Sequence, residues 1–285
     1  MDTLPAIAGD LDEVIARALD EDLGPDGDVT SEAVVPPDAV CTGRAVAKEA
    51  GVVAGLPVFE RAFRLRDPGV RVDLRAQDGE RVRSGQVLAE LAGRARSILA
   101  AERVALNFLS HLSGVATLTR GYVDACGESG SVVLHTRKTI PGLRALQRYA
   151  VEVGGGRLHR GSLSDGVLIK DNHVRLAGGV GEAVRRATKK LENSLEIEAE
   201  VETLEELEEA LDAGADAILL DNASVELVER AAELIDGRVP LEISGGVDAD
   251  GIRALRPYAP LRISVGRLTH SASALDVSLE LAPAS

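Results

Sequence analysis

Apolar positions follow two rhythms along the chain, and the rhythm changes more than once. Over 11–22 (LDEVIARALDED), Leu11, Val14, Ile15 and Leu19 recur at helical spacing and share one stripe, and Gly24-Pro25-Asp26-Gly27 then stops the helix with turn residues. From about 40 to 96 the pattern turns β-like, with runs at 42–47, 70–74 and 86–91 separated by Asp-Gly, Ser-Gly and Pro-Gly turns. This predicts a small antiparallel α+β domain. The helical period returns over 98–125, where Leu99, Val104, Leu106, Leu109, Leu112, Val115 and Leu118 are apolar.

Beyond it, short apolar runs at 132–134, 167–169, 197–201, 217–220, 241–243 and 261–265 alternate with helical stretches. Repeated βα units of this kind predict a parallel sheet, either closed as a barrel or wound open. One intervening helix shows its ends plainly. Thr203 is an N-cap with Glu206 as its capping-box partner, and Gly214 ends the helix. The stretch 271–281 reads as a closing amphipathic helix.

Composition narrows the function classes. The chain has 285 residues, enough for a real core; only 2% are aromatic and none is Trp, so that core is built from Leu, Val, Ile and Ala, and base stacking on nucleic acid is disfavoured. The net charge of −14 argues against a polyanion binder or a membrane-surface protein, although a small basic pocket can exist within an acidic whole. Cys41 and Cys126 lie far apart without CxxC spacing, so neither a disulfide scaffold nor a zinc site is indicated, and a reducing compartment is the simple reading. Residues 1–22 lack the basic-then-apolar layout of a signal peptide, and no apolar run reaches membrane-spanning length. A cytoplasmic protein is expected, with neither nucleic-acid nor membrane partners.

In parallel βα folds the active site gathers beyond the carboxyl ends of the strands. Reading past each predicted strand gives His135-Thr136-Arg137-Lys138, Lys170-Asp171-Asn172, Glu200 near the end of the third, Asp221-Asn222, Ser244-Gly245-Gly246 and Gly266-Arg267. A charged residue at one strand end commonly just meets solvent. Six ends in succession bearing two lysines, two carboxylates and two glycine turns describe a site. Lysine usage sharpens the point, because the chain has five lysines against 27 arginines, and two of the five stand at strand ends. A compact ammonium suits phosphate oxygens, whereas a guanidinium suits a planar carboxylate.

Two local patterns add to this. Residues 137–175 hold eight Lys or Arg against three acids, a basic segment in an acidic chain, and within it His159-Arg160 follow Gly154-Gly155-Gly156. That glycine run serves equally as a helix C-cap or as a bend that lets a ligand come close. Strand 196–202 alternates Glu196-Ile197-Glu198-Ala199-Glu200-Val201-Glu202, so its carboxylates share one face. If the apolar face meets helices, the carboxylates point into a barrel and need cations or a metal; an exposed edge strand is the alternative. Ser244-Gly245-Gly246 and Val265-Gly266 are of the kind whose successive backbone N–H groups bind a phosphate at the last βα turns of a barrel.

The ordered set Glu21-Asp22-Leu23, Gly27-Asp28-Val29-Thr30, Glu102-Arg103, Leu106-Asn107, Leu112-Ser113-Gly114-Val115-Ala116-Thr117, Thr136-Arg137-Lys138-Thr139, Pro141-Gly142-Leu143-Arg144, Gly154-Gly155-Gly156, His159-Arg160, Leu168-Ile169-Lys170-Asp171-Asn172-His173 and Leu219-Leu220-Asp221-Asn222 resembles quinolinate phosphoribosyltransferase, nearly end to end. The resemblance implies an N-terminal α/β open sandwich (1–112, with the helix at 271–285 packing back on it) followed by an incomplete, TIM-like α/β barrel (113–270). It implies transfer of phosphoribosyl from phosphoribosyl pyrophosphate to quinolinate with decarboxylation, giving nicotinate mononucleotide, pyrophosphate and carbon dioxide, with Mg2+. It also implies a homodimer with a shared active site, alone or built up into a hexamer.

Position by position, the resemblance assigns Arg137, His159 and Arg160 to the two quinolinate carboxylates, and has Arg103 enter from the partner subunit. Thr136, Lys138 and Lys170 line the substrate and pyrophosphate region. Glu200 and Asp221 stand near the ribose hydroxyls and magnesium, directly or through water, and with Lys138 form the catalytic set. Ser244-Gly245-Gly246 and Val265-Gly266 take the 5′-phosphate. Two departures from the family pattern neighbour the site: His135, where an acidic or small residue is usual, and Gly161-Ser162, where a bulky residue followed by Gly is usual.

Two other readings compete. A molybdate-transport-associated paralogue shares Thr136-Arg137-Lys138-Thr139, the glycine run and His159-Arg160, but typically diverges from Leu168-Ile169-Lys170-Asp171-Asn172-His173. A non-enzymatic carrier is suggested by Asp78-Gly79-Glu80-Arg81-Val82 and Gly85-Gln86-Val87-Leu88, which resemble a lipoyl or biotinyl carrier turn. Such a carrier needs a lysine at a hairpin tip, and Lys48 is the one lysine in that region.

Overall fold

The computed structural model describes residues 11–191 and 194–284. These fall into two compact units, one drawing on Met1–Arg120, Ile140–Gly155 and Ser271–Ser285, the other on Gly121–Thr139 and Gly156–His270.

In the first unit the sheet is antiparallel and forms around β1 (Val40–Ala47), which pairs with β5 (Val87–Arg94) on one side and with the C-terminal strand Val277–Pro283 on the other. β2 (Gly51–Val52) and β4 (Arg81–Val82) make a separate two-stranded pair, and β3 (Arg71–Leu74) adds to the far side of β5. The helix α1 (Leu11–Leu23) buries Leu11, Ile15 and Leu19, most of the stripe expected of it, against α3 (Leu56–Arg66). Between them α2 (Val29–Val34) is capped by Asp28, whose carboxylate accepts from the Ser31 N–H at 2.9 Å. Two of the chain's three phenylalanines, Phe59 and Phe63, meet edge to face on α3 with ring centroids 5.0 Å apart and are fully buried. The long helix α4 (Ala95–Cys126) begins in this unit, and α5 (Arg144–Val153) belongs to it.

Two expectations change here. The stretch 271–281 is no helix: Val277, Leu279 and Leu281 repeat every second residue, and the segment extends along β1 from Cys41↔Pro283 to Ala47↔Val277. The apolar Ala272, Ala274 and Leu275 just before it blur the alternation, so that locally the period of two resembles a helical one. The helix α3 was missed inside the β-like region. The expected boundary at 112/113 lies within the long helix α4; the C-terminal segment joins the first unit, as expected of it, and α5 joins it as well.

The carrier-like turn has a structural role. Asp78 accepts from the N–H groups of Gly55 and Leu56 at 2.7 and 3.0 Å, which caps α3, and from the Tyr149 hydroxyl at 2.6 Å. Lys48 is ion-paired with Glu280 at 2.7 Å on the C-terminal strand. Neither is presented for attachment of a cofactor.

The second unit is built on six parallel strands in the order β6-β11-β10-β9-β8-β7: β6 (Val132–Leu134), β7 (Val167–Ile169), β8 (Ile197–Val201), β9 (Ala217–Asp221), β10 (Leu241–Ser244) and β11 (Arg262–Ser264). These match the six predicted runs closely. Helices α6 (Asp171–Ala177), α7 (Val180–Leu191), α8 (Leu204–Asp212), α9 (Val225–Ile235), α10 (Ala249–Leu255) and α11 (Arg267–His270) follow the strands in turn. Ala217, Ile218, Leu219 and Leu220 of β9 are all buried, as a strand covered on both faces requires. The sheet stays open between its edge strands β6 and β7. There a single parallel bridge, Leu134↔Arg157, lays the segment before His159 beside β6. This is the architecture of an incomplete α/β barrel.

Thr203 caps α8 as expected, its hydroxyl accepting from the Glu206 N–H at 3.2 Å. The Glu206 carboxylate reaches one residue further back than the box predicts, to the Glu202 N–H at 2.8 Å. Gly154 and Gly155 close α5 through their N–H groups at 2.9 and 2.8 Å from the Ala150 and Glu152 carbonyls, so the C-cap reading of that glycine run holds. Among the described residues no helix is long and apolar enough to cross a membrane.

Candidate active site

The alternating strand 196–202 becomes β8, an interior strand between β7 and β9, and three of its carboxylates each meet a different cation. Glu196 pairs with Arg262 at 2.5 Å, Glu198 with His159 at 3.1 Å and Glu200 with Lys170 at 2.8 Å. The edge-strand alternative is thereby excluded. Glu198 is 3% exposed and Glu242, on β10, is 1% exposed. His159 Nε2 lies 3.1 Å from Glu198 Oε2 and 3.4 Å from Glu242 Oε2. Ser264 donates to the other Glu242 oxygen at 2.5 Å.

Burial alone would push the His159 imidazole down, but its hydrogen bond to Glu198 and the close charges of Glu198 and Glu242 outweigh burial and raise it to about 10. The two carboxylates share that one cation. Glu198 moves up, chiefly through burial, and Glu242 moves down, because contact with His159 and Ser264 overcomes its own burial.

His159 and Arg160 line a cavity of about 380 Å³ together with Leu134, Arg157, Asp165, Glu198 and Arg262. Burial and the neighbouring charge of Arg137 both work to lower the Arg160 guanidinium, opposed by Glu198 and Asp165. Arg137 has its Nε buried without a hydrogen-bond partner among the described residues. Two guanidiniums brought close together, one of them incompletely satisfied, make a receptor for anions.

Lys170 Nζ binds Glu200 Oε2, with the lysine side chain 48% exposed and the glutamate 13% exposed. A pair this open contributes about 0–1 kcal/mol to stability, so stability is a weak reason for it. The backbone N–H of Lys170 donates to His173 Nδ1 at 2.9 Å and starts α6.

At the end of β9, Asp221 is exposed and accepts from Asn222 Nδ2 at 2.9 Å, while the Asn222 backbone N–H donates to the Ser244 carbonyl at 2.8 Å. Gly245 packs directly over them, with φ at +86°, and a Cβ there would stand 2.6 Å from Asn222 Cγ and 2.8 Å from Asp221 Oδ1. Only glycine fits. The neighbouring turn is similarly close. A Cβ on Gly266 would come within 3.0 Å of Lys138 Cδ and 3.4 Å of Thr136 Oγ1, and the Val265 N–H donates to the Leu134 carbonyl at 3.0 Å. Lys138 is tied down by its backbone, which donates to Thr136 Oγ1 at 3.1 Å and accepts from Thr269 Oγ1 at 2.7 Å.

The expected residues of the second unit thus assemble as neighbouring groups: Arg137, His159 and Arg160; Lys170 and Glu200; Asp221, Ser244, Gly245 and Gly246; Thr136, Lys138, Val265 and Gly266. Arg103 stands apart on α4 in the first unit, exposed. Of the two departures, His135 is fully buried with Nδ1 donating to the Thr136 carbonyl at 3.0 Å. The Gly161 and Ser162 N–H groups close a turn on the Asp165 carboxylate at 2.7 and 2.9 Å, which holds that acid down at about 2. Sequence reading passed over Glu242 and Ser264. The signal for Glu242 was a lone acid inside an apolar run.

Comparison with known proteins covers most of the chain. Residues 28–113 match the N-terminal domain, and residues 115–280 the C-terminal domain, of the quinolinate phosphoribosyl transferase family models. A tobacco protein named quinolinate phosphoribosyltransferase [decarboxylating] 2b, mitochondrial, is 41% identical over 95% of this chain and 82% of its own. A Bacillus subtilis protein named probable nicotinate-nucleotide pyrophosphorylase [carboxylating] is 40% identical over 92% and 90%. The crystal structure of NadC from Streptococcus pyogenes superposes with a TM-score of 0.94 at 42% identity over all of both chains.

Proposed function

The chain belongs to the quinolinate phosphoribosyltransferase family, and on that footing we propose how its residues divide the reaction. The activity is the decarboxylating phosphoribosyl transfer of NAD biosynthesis. Quinolinate and phosphoribosyl pyrophosphate give nicotinate mononucleotide, pyrophosphate and carbon dioxide.

The observation that carries the site assignment is the buried, unsatisfied Arg137 Nε, with the Arg137 charge acting on Arg160. These guanidiniums and His159 take the two quinolinate carboxylates and orient the ring nitrogen towards the ribose. Displacement at the anomeric carbon builds positive charge on the sugar and negative charge on the departing pyrophosphate. Glu200 and Asp221 stabilise the first, Lys138 and Lys170 the second. Lys170 is then held by Glu200 until a pyrophosphate arrives to compete for it. Thr136 and the turns Ser244-Gly245-Gly246 and Val265-Gly266 receive the 5′-phosphate and the adjoining substrate atoms, where the absence of a Cβ lets the backbone come near. Once the pyridine nitrogen is alkylated, the cationic ring is an electron sink for loss of the adjacent carboxylate.

The donor set suits magnesium, since Asp221 and Glu200 offer hard carboxylate oxygens near where the pyrophosphate would lie. Mg2+ bound there, directly or through water, supplies positive charge to the leaving group. The partner's Arg103 completes the pocket in a homodimer. Two buried free thiols, Cys41 and Cys126, support the cytoplasm as its compartment.

Titration calorimetry with each substrate alone tests the carboxylate assignment. Arg137→Ala and Arg160→Ala are each expected to weaken quinolinate binding by about 2–5 kcal/mol and to change phosphoribosyl pyrophosphate binding far less. Equal losses for both ligands would make these arginines structural.

A further inference from the structure

Glu198 and Glu242 lie outside every residue group read from the strand ends, yet both are buried where an ionised carboxylate needs a compensating cation. They come from β8 and β10, with β9 between, and converge on one atom: their Oε2 oxygens lie 3.1 and 3.4 Å from His159 Nε2. Ser264 on β11 fixes the second carboxylate by donating to its other oxygen at 2.5 Å. Three strands therefore contribute to holding one imidazole.

Carboxylates accept and do not donate, so their position settles where the ring protons go. Nε2 carries a hydrogen, and Nδ1 is the nitrogen left to meet a ligand. In a neutral ring Nδ1 offers a lone pair, which repels a carboxylate. In the charged ring it offers an N–H, which binds one.

The charges around the ring decide between these states. Arg157, Arg160 and Arg262 line the cavity with Glu196, Glu198 and Asp165, and Glu242 adds a fourth carboxylate behind the imidazole. Among these, Glu198 and Glu242 are the carboxylates paired with the imidazole, and both are buried, so the compensating charge beside them is that of the ring itself. The rise of the imidazole to about 10 agrees with this geometry.

We propose that Glu198 and Glu242 are positioning residues that keep His159 an imidazolium, with its Nδ1–H presented to a carboxylate of the pyridine substrate. The proposal rests on the reading that His159 binds quinolinate. It adds that the affinity of this contact is set by two residues that act through the imidazole.

The wild-type protein, labelled with 15N-histidine, gives the first test. The ring-nitrogen shifts of His159, assigned by their loss in His159→Ala, should show an imidazolium at about pH 8, where an unperturbed histidine is neutral. Calorimetry on Glu198→Gln, Glu242→Gln and the double variant gives the second. The double variant should bind quinolinate about tenfold more weakly at about pH 8 and recover as the pH falls towards about 5, below the ordinary histidine range because burial holds the ring down once the carboxylates are gone, while phosphoribosyl pyrophosphate affinity stays within about twofold throughout. A neutral His159 in the wild-type protein at about pH 8 would overturn the proposal and leave the substrate reading standing. An imidazolium in the wild type, together with undiminished quinolinate affinity in His159→Ala, would overturn the substrate reading and the proposal with it. A pH-independent loss in the glutamine variants would mean that the glutamates only support the fold.

Discussion

Along 196–200, side chains two residues apart meet three different cations. Glu196 has an arginine, Glu198 a histidine and Glu200 a half-exposed lysine. The lysine pair is the one a substrate can reopen, because an ammonium in water exchanges partners at little cost. Glu200→Gln and Asp221→Asn should therefore lower turnover by roughly a hundredfold each through loss of negative charge beside the developing ribosyl cation, and should alter the magnesium dependence. Turnover measured against magnesium concentration checks this, and wild-type-like curves for both variants would remove these residues from the catalytic set. The carboxylate face was legible from alternation alone, since a period of two forces Glu196, Glu198 and Glu200 to one side. Their partners were not, because His159 and Arg262 lie tens of residues away and reach β8 only through the sheet order. Glu242 escaped for a related reason: between Leu241 and Ile243 it reads as an interruption of an apolar strand.

Strands with a full apolar run announced themselves, whereas elements defined by a distant partner did not. Val277–Pro283 has seven residues, and locally its apolar positions suit a helix nearly as well as a strand. What makes it a strand is the open edge of β1, more than two hundred residues earlier in the chain, along which seven Cα pairs align. Burying that edge satisfies backbone groups that would otherwise template association with other chains. Ending the chain after Asp276 should accordingly cost several kcal/mol, at about 1 kcal/mol net per lost ladder hydrogen bond, and should promote aggregation. Denaturant unfolding followed beside light scattering reads both. An unchanged midpoint with no aggregation would mean that the strand is dispensable to the first unit. The helix α3 was hidden by the opposite effect: Gly55 and Pro57 read as turn residues, yet they start the helix, with Pro in its first turn and Asp78 arriving from a later loop to cap it.

At the scale of the molecule, the charge of −14 coexists with a basic pocket because both substrates are polyanions, and binding them requires local rather than net positive charge. The residues proposed for the pocket come from the second unit, and Arg103, proposed to enter from a partner, sits exposed on α4 in the first. The bland reading of an exposed arginine is a solvated one. Family membership favours another, in which Arg103 crosses a two-fold interface and each subunit completes the other's pocket. Complementation distinguishes them. Arg103→Ala subunits and Lys138→Ala subunits, each inactive alone, are mixed under exchange conditions. If the site is shared, one pocket of each mixed dimer receives both defects and the other receives neither, so activity should rise towards half the wild-type value per mixed dimer. If activity stays at the level of the single variants although mixed dimers form, both residues act within one subunit and the shared site is wrong. The measurement does not depend on how strongly either residue binds, because it reads only whether two defects can be segregated into one pocket.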